Sequence, residues 1–179
     1  MSHLPTKLLV EKEVGGAGLS VRTIIIDAYT NQGDGVVIGF RELDSLLGGV
    51  ILTPSYSAGA TTDGGAFFKP ELAFNTTLSL TGAPQFNSWR AATFTIANQR
   101  IYCLFDELQT IDEFLFDNWH NNGSNPTRGT KNARIQVTDQ AFPNTVLDQV
   151  VPNGVEVWNG DLPIHPASNT EQRFSIPLI

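Results

Sequence analysis

The run Val21-Arg22-Thr23-Ile24-Ile25-Ile26-Asp27-Ala28-Tyr29 constrains the fold of this chain more than any other feature. β-Branched residues dominate it, and such side chains suit a pleated, half-buried surface better than a helix. The turn string Asn31-Gln32-Gly33-Asp34-Gly35 follows, and residues 36–40 return apolar, so the stretch predicts a hairpin with a longer loop. Residues 72–80 predict a second strand region, with Leu72, Phe74, Thr76, Leu78 and Leu80 on one face. Residues 90–97 alternate, placing Ala92, Phe94 and Ile96 opposite Ala91, Thr93 and Thr95. Strands are also expected over 133–137, 145–151, 155–158 and 173–178, the last with Phe174, Ile176 and Leu178 in phase. Pro177 cannot donate to a ladder, so this strand needs an edge or a bulge.

One segment has a different period. Ile111, Phe114, Leu115 and Trp119 share a face at helical spacing, while Asp112, Glu113 and Asp117 lie away from it. Thr110 and Glu113 have capping-box spacing, and Asn122-Gly123 with Pro126 beyond supplies a stop. The spacing predicts a helix over about 110–122, packed on a sheet through its apolar side. A shorter helical turn is expected over 42–47, ended by Gly48-Gly49. The fold class expected is therefore mainly β, a β-sandwich or barrel with one flanking α-helix.

Residues 1–20 carry Leu8-Leu9-Val10 and a Gly15-Gly16-Ala17-Gly18 hinge, the pattern of an extended N-terminal arm and not of core. Residues 21–179 form a single domain on this reading, long enough to bury a core without disulfides or metals. Residues 55–65, rich in Ser, Thr, Ala and Gly, predict a mobile loop or an extended hairpin tip. No internal repeat is present.

The single cysteine, Cys103, lies in the apolar run Ile101-Tyr102-Cys103-Leu104-Phe105 and is expected to act as a small buried hydrophobe. No apolar stretch approaches the roughly 18 to 20 residues of a membrane span, and residues 1–20 lack the pattern of a signal peptide. No membrane partner is expected, and folding in a reducing cytoplasm is. The net charge of -7, from 18 acidic against 11 basic residues, disfavours a surface that grips phosphates. Charged residues make up 16% of the chain, against about 25% in typical soluble domains. Asn, Thr, Ser, Gln and Gly fill the deficit, as suits a surface destined for protein contact or an ordinary uncharged β-protein surface.

A search for chemistry returns no catalytic, cofactor-binding or metal residues. His3, His120 and His165 lie far apart, with no zinc-motif spacing, and each is expected at the surface. Nucleophile elbow, phosphate loop, Cys-x-x-Cys and dinucleotide fingerprint are all absent. The carboxylates Asp106, Glu107, Asp112, Glu113 and Asp117 suggest a hydrolase or calcium site, but Asp112 and Glu113 are explained by the positive end of the predicted helix. The sequons at Asn75 and Asn122 carry no meaning without secretion. Trp89, Trp119 and Trp158 suggest a sugar-stacking platform, yet core packing explains them more simply. The chain is not expected to be an enzyme.

From Trp89 to the end, the order of elements resembles the tail tube proteins of contractile bacteriophages and the related tubes of contractile injection systems. The similarity lies in a strand led by a tryptophan, a helix carrying Phe114 and Trp119, and three or four strands after it. The closing string Gly154-Val155-Glu156-Val157-Trp158-Asn159-Gly160-Asp161-Leu162-Pro163-Ile164, then Arg173-Phe174-Ser175-Ile176-Pro177-Leu178, is its most specific part. The resemblance implies a virion subunit, made in the host cytoplasm, that joins copies of itself in hexameric rings stacked around a DNA channel. Sheath, baseplate or capsid proteins would be its other partners, with the arm and residues 55–65 making ring-to-ring contacts. An acidic lining would let DNA pass without binding it. The alternatives are a capsid decoration or cement protein and, from another class, a carbohydrate-binding module.

Overall fold

The computed structural model describes residues 18–76 and 81–178. Among the described residues ten strands form two antiparallel sheets, and the only helical turns are two short 3-10 segments, Pro70–Ala73 and Pro126–Arg128. The strands are β1 (Leu19–Asn31), β2 (Gly39–Leu47), β3 (Val50–Ile51), β4 (Tyr56–Ala60), β5 (Trp89–Arg90), β6 (Ala97–Ile111), β7 (Glu113–Asn118), β8 (Thr130–Thr138), β9 (Val155–Asp161) and β10 (Phe174–Pro177). The first sheet runs β4-β6-β1-β8-β9; the second runs β10-β7-β2-β3, with β5 also paired to β2.

The apolar run at the start of the chain becomes the centre of the first sheet. Alternation from Ile24 through Ile26 to Ala28, with a register shift between Val21 and Thr23 that brings Val21 to the same side, feeds the core shared with Phe40, Leu43, Phe114, Phe116 and Ile176 of the second sheet. Thr23, Ile25 and Asp27, on the opposite face, are also fully buried. The long connection between β8 and β9 covers that face: Thr23 Oγ1 donates to Gln140 O, and Arg100 reaches Gln149 O. A strand covered on both faces reads as a near-continuous apolar run, as Ile24-Ile25-Ile26 does within β1.

Residues 110–122 are not a helix. β6 runs to Ile111, the chain bends at Asp112, and β7 follows from Glu113 in the other sheet. The bend is fixed by Asp112, whose N–H donates to Leu46 O at 2.9 Å, whose O accepts from Leu178 N at 2.8 Å, and whose Oδ2 accepts from Gly48 N at 2.7 Å. One residue out of register at this corner puts Ile111 and Phe114 on the same inner side, which imitates helical spacing. Beyond the corner Phe114 and Phe116 alternate inward, paired with Ser45 and Leu43 of β2. The turn expected over 42–47 is likewise strand β2. Its bulge between Phe40 and Glu42 brings Phe40 and Leu43, three residues apart, into one core.

Five other expectations change. The hairpin expected over residues 21–40 does not form, because β1 and β2 lie in different sheets. Residues 55–65 contain β4, paired with residues 101–105 of β6, so they are not a free loop. Residues 90–97 hold only the end of β5, a turn and the start of β6, which leaves Phe94 at 81% exposure instead of half buried. Residues 145–151 form turns, and residues 72–73 lie in a 3-10 segment; the rest of the strand predicted to Leu80 reaches residues outside those described. Of the arm expected over residues 1–20, residues 1–17 lie outside the described residues, and residues 19–20 belong to β1. β10 does lie at a sheet edge, which is what Pro177 requires.

Candidate functional site

The most concentrated buried polar chemistry lies where β7 ends. Asp117 closes the regular alternation of β7, His120 starts the turn after it, Arg41 sits at the β2 bulge opposite, and His165 comes from the irregular segment between β9 and β10. All four are buried, none above 1% exposure. Both histidines were expected at the surface; instead the fold stacks their rings at 3.9 Å between centroids and 17° between planes. His3 lies outside the described residues.

Each group in the cluster is held by named partners. Arg41 Nη1 donates to Gly82 O at 3.1 Å and His120 O at 3.3 Å, and lies 3.4 Å from His120 Nε2. His120 Nδ1 accepts from Gly123 N at 3.2 Å. His165 Nδ1 lies 2.6 Å from Pro166 O, and Nε2 lies 2.8 Å from Thr170 O. Asp117 Oδ2 accepts from Gln172 N at 3.2 Å, while Oδ1, 4.0 Å from His165 Nε2, has no hydrogen-bond partner. Burial pushes the Asp117 carboxyl up to about 7, against the pull of the Gln172 N–H and Arg41. Burial also pushes His165 down, opposed by its two carbonyl neighbours.

Asp117, His120 and His165 have ligand atoms within 4.8 Å of one another, yet the set does not fit a metal ion. In-plane lone pairs of two stacked, nearly parallel rings do not converge on one point. The guanidinium of Arg41 stands against His120 Nε2, and both nitrogens of His165 already face carbonyl oxygens. The chemistry this arrangement supports is proton exchange between neighbouring buried groups, not coordination.

The other acidic residues singled out in the sequence do not converge. Asp106 and Glu107 are exposed on β6, Asp112 holds the corner, and Glu113 accepts from Ser175 Oγ. With the helix gone, its positive end no longer explains Asp112 and Glu113; the corner and the β7–β10 pairing do. Trp89 and Trp119 are buried, packed on Phe40 and Phe68 respectively, and Trp158 is half-buried against Phe174. Cys103 is fully buried, as expected, and burial pushes its thiol far up. It lines a half-open pocket of about 210 Å³ of mixed character, with Leu43, Tyr56, Phe74 and Phe105 beside Ser45 and Asn75.

A second buried network went unnoticed in the sequence. Asp27 of β1 pairs in register with Arg100 of β6 and with Arg134 of β8, forming an ionic row across three strands. Arg134 continues to Asp148, which also accepts from the Tyr29 hydroxyl at 2.6 Å. The usable signal was an aspartate directly after Ile24-Ile25-Ile26, since a charge inside a fully apolar strand needs a partner.

Comparison with known proteins finds no matching family model, no curated relative and no similar solved structure.

Proposed function

We propose that this chain is a virion structural protein that works by assembling with copies of itself, in its most specific form as a tail tube subunit of stacked hexameric rings. The observation that carries the proposal is a pair of exposed phenylalanines held in a left-handed backbone. Phe86 has φ 67° at 61% exposure, and Phe94 has φ 68° at 81% exposure. A bulky residue in that region costs of order 1–3 kcal/mol, and exposing its ring to water brings no compensation within one subunit. Burial against a neighbour would supply it. Phe86 also packs edge-on against exposed Phe67, with centroids 5.0 Å apart, which makes a compact apolar contact surface.

The distribution of charge suits DNA passage without binding. Among the described residues the exposed cations are Lys69 and Lys131, whereas the arginines are buried or half-buried. Exposed carboxylates include Asp63, Glu71, Asp106, Glu107, Glu156 and Asp161. A structural role, not catalysis, fits the buried position of the Asp117, His120 and His165 cluster, which offers a substrate no access. The lack of an α-helix among the described residues favours a second reading, a capsid decoration protein, because the tail tube resemblance included that helix. Negative-stain microscopy of the purified chain at high concentration separates the two. Rings or tubes are expected; monomers or trimers that coat capsids would replace the tail assignment with the shell one, and a monomer that binds neither would sink both.

A further inference from the structure

Residues 162–173, between β9 and β10, have no regular structure yet are tied down closely. Asn118 Nδ2 donates to Pro163 O at 2.8 Å, Gly82 N donates to Asn169 Oδ1 at 2.6 Å, and Gln172 N donates to Asp117. The segment passes so near Gly123 that an added Cβ there would meet the Ser168 carbonyl carbon at 2.4 Å. Inside this loop the His165 ring bridges the carbonyls of Pro166 and Thr170. Carbonyl oxygens only accept, and a neutral imidazole has one N–H. A neutral His165 therefore leaves one nitrogen lone pair facing an oxygen lone pair at 2.6 or 2.8 Å; only the imidazolium satisfies both contacts.

We propose that Asp117 and His165 form a buried pair holding one proton, and that this pair is a pH-sensitive latch on residues 162–173 and on the edge strand β10 that follows. The closed form is the imidazolium donating to both carbonyls, with the Asp117 carboxylate beside it. Charged groups of both signs surround the pair. Arg41 and Glu42 of β2 face the pair, His120 stacks on His165, and from the segment itself Glu171 and Arg173 act on Asp117, with Arg173 tied to Asp44 of β2. With Arg41, Arg173, Glu42, Asp44 and Glu171 charged, the imidazolium and the Asp117 carboxylate leave the cluster at -1, and loss of the proton takes it to -2.

Burial raises Asp117 and lowers His165, favouring the neutral form of each, so burial alone would leave the shared proton on Asp117; the two carbonyl contacts, which only an imidazolium satisfies, are what place it on His165. Asp117 is raised from 3.8 to about 7, so its contribution is present at low pH and is lost as pH rises through about 7. His165 is lowered from 6.5, so its contribution is present above that value and is lost as pH falls through its lowered one. The two titrate as a unit, tightest in the mildly acidic window where the pair keeps a single proton.

The test is ring-nitrogen NMR of the full chain, with amide exchange of residues 162–173 corrected for the intrinsic pH dependence of exchange. At about pH 6 both His165 nitrogens should carry protons, and at about pH 8.5 only one. Corrected exchange in the segment should accelerate by about tenfold over the same change while β1 stays protected. His120→Phe keeps a stacked ring and should keep the response; D117N should remove most of it. A His165 fixed in one neutral tautomer throughout, or a segment whose protection ignores pH, would overturn the latch. The wild-type ring signals decide even where D117N fails to fold.

Discussion

Asp27 and Arg100 stand directly opposite each other on β1 and β6, both fully buried, with the guanidinium bound to both carboxylate oxygens at 2.6 and 2.8 Å. Arg134 shares one of those oxygens at 2.7 Å. Removing the aspartate strands a buried guanidinium, and such losses run to about 3–5 kcal/mol. Asp27→Asn should therefore lower the urea midpoint strongly with little change in slope. Arg134→Met, at a partly exposed position, should cost much less; equal costs would mean the row does not act as drawn.

Phe114 tests the corner between the sheets. It is fully buried and faces Ser45 and Ile176 across β7. Phe114→Ala should destabilise by about 3–5 kcal/mol in equilibrium unfolding. The far-ultraviolet circular dichroism of the wild type should be that of β-structure; a clear helical signal would restore the helix over 110–122.

Phe94→Gly separates assembly from folding. Glycine adopts φ 68° without strain, and the lost ring is mostly in water, so the isolated subunit should gain about 1 kcal/mol. Sedimentation should show weaker self-association in the same variant. Unchanged association would remove Phe94 from the contact surface.

Cys103 should resist thiol reagents in the native chain and react at once in denaturant, because burial favours its protonated form. Rapid native labelling would mean that the thiol becomes accessible through the half-open pocket it lines.

The sheet-central position of Ile24-Ile25-Ile26 lay hidden behind an expected half-buried hairpin strand, but the β character and the edge placement of Pro177 were legible because each depends on local chemistry. The corner at Asp112 was not. Ile111 and Phe114 point the same way because the strand changes sheets between them, and three-residue spacing looks the same in a helix and across such a bend. The bulge at Arg41 and Glu42 hid β2 in the same manner. The Asp117, His120 and His165 cluster was invisible for another reason. Forty-five positions separate the two histidines, counting from 120 to 165, and only the path of the chain after β9 brings them together.

The ionic row on β1 also bears on how the chain leaves the ribosome. Asp27 waits for Arg100, 73 residues later, and for Arg134, 107 residues later, and the isoleucines beside it wait for the same strands. At about 5–20 residues per second, that interval lasts on the order of ten seconds, during which a sticky triplet of isoleucines has no sheet to join. Newly made chains are therefore most prone to clump before β8 emerges, and a holding chaperone that recognises short aliphatic stretches should improve yield more than any adjustment of the finished fold.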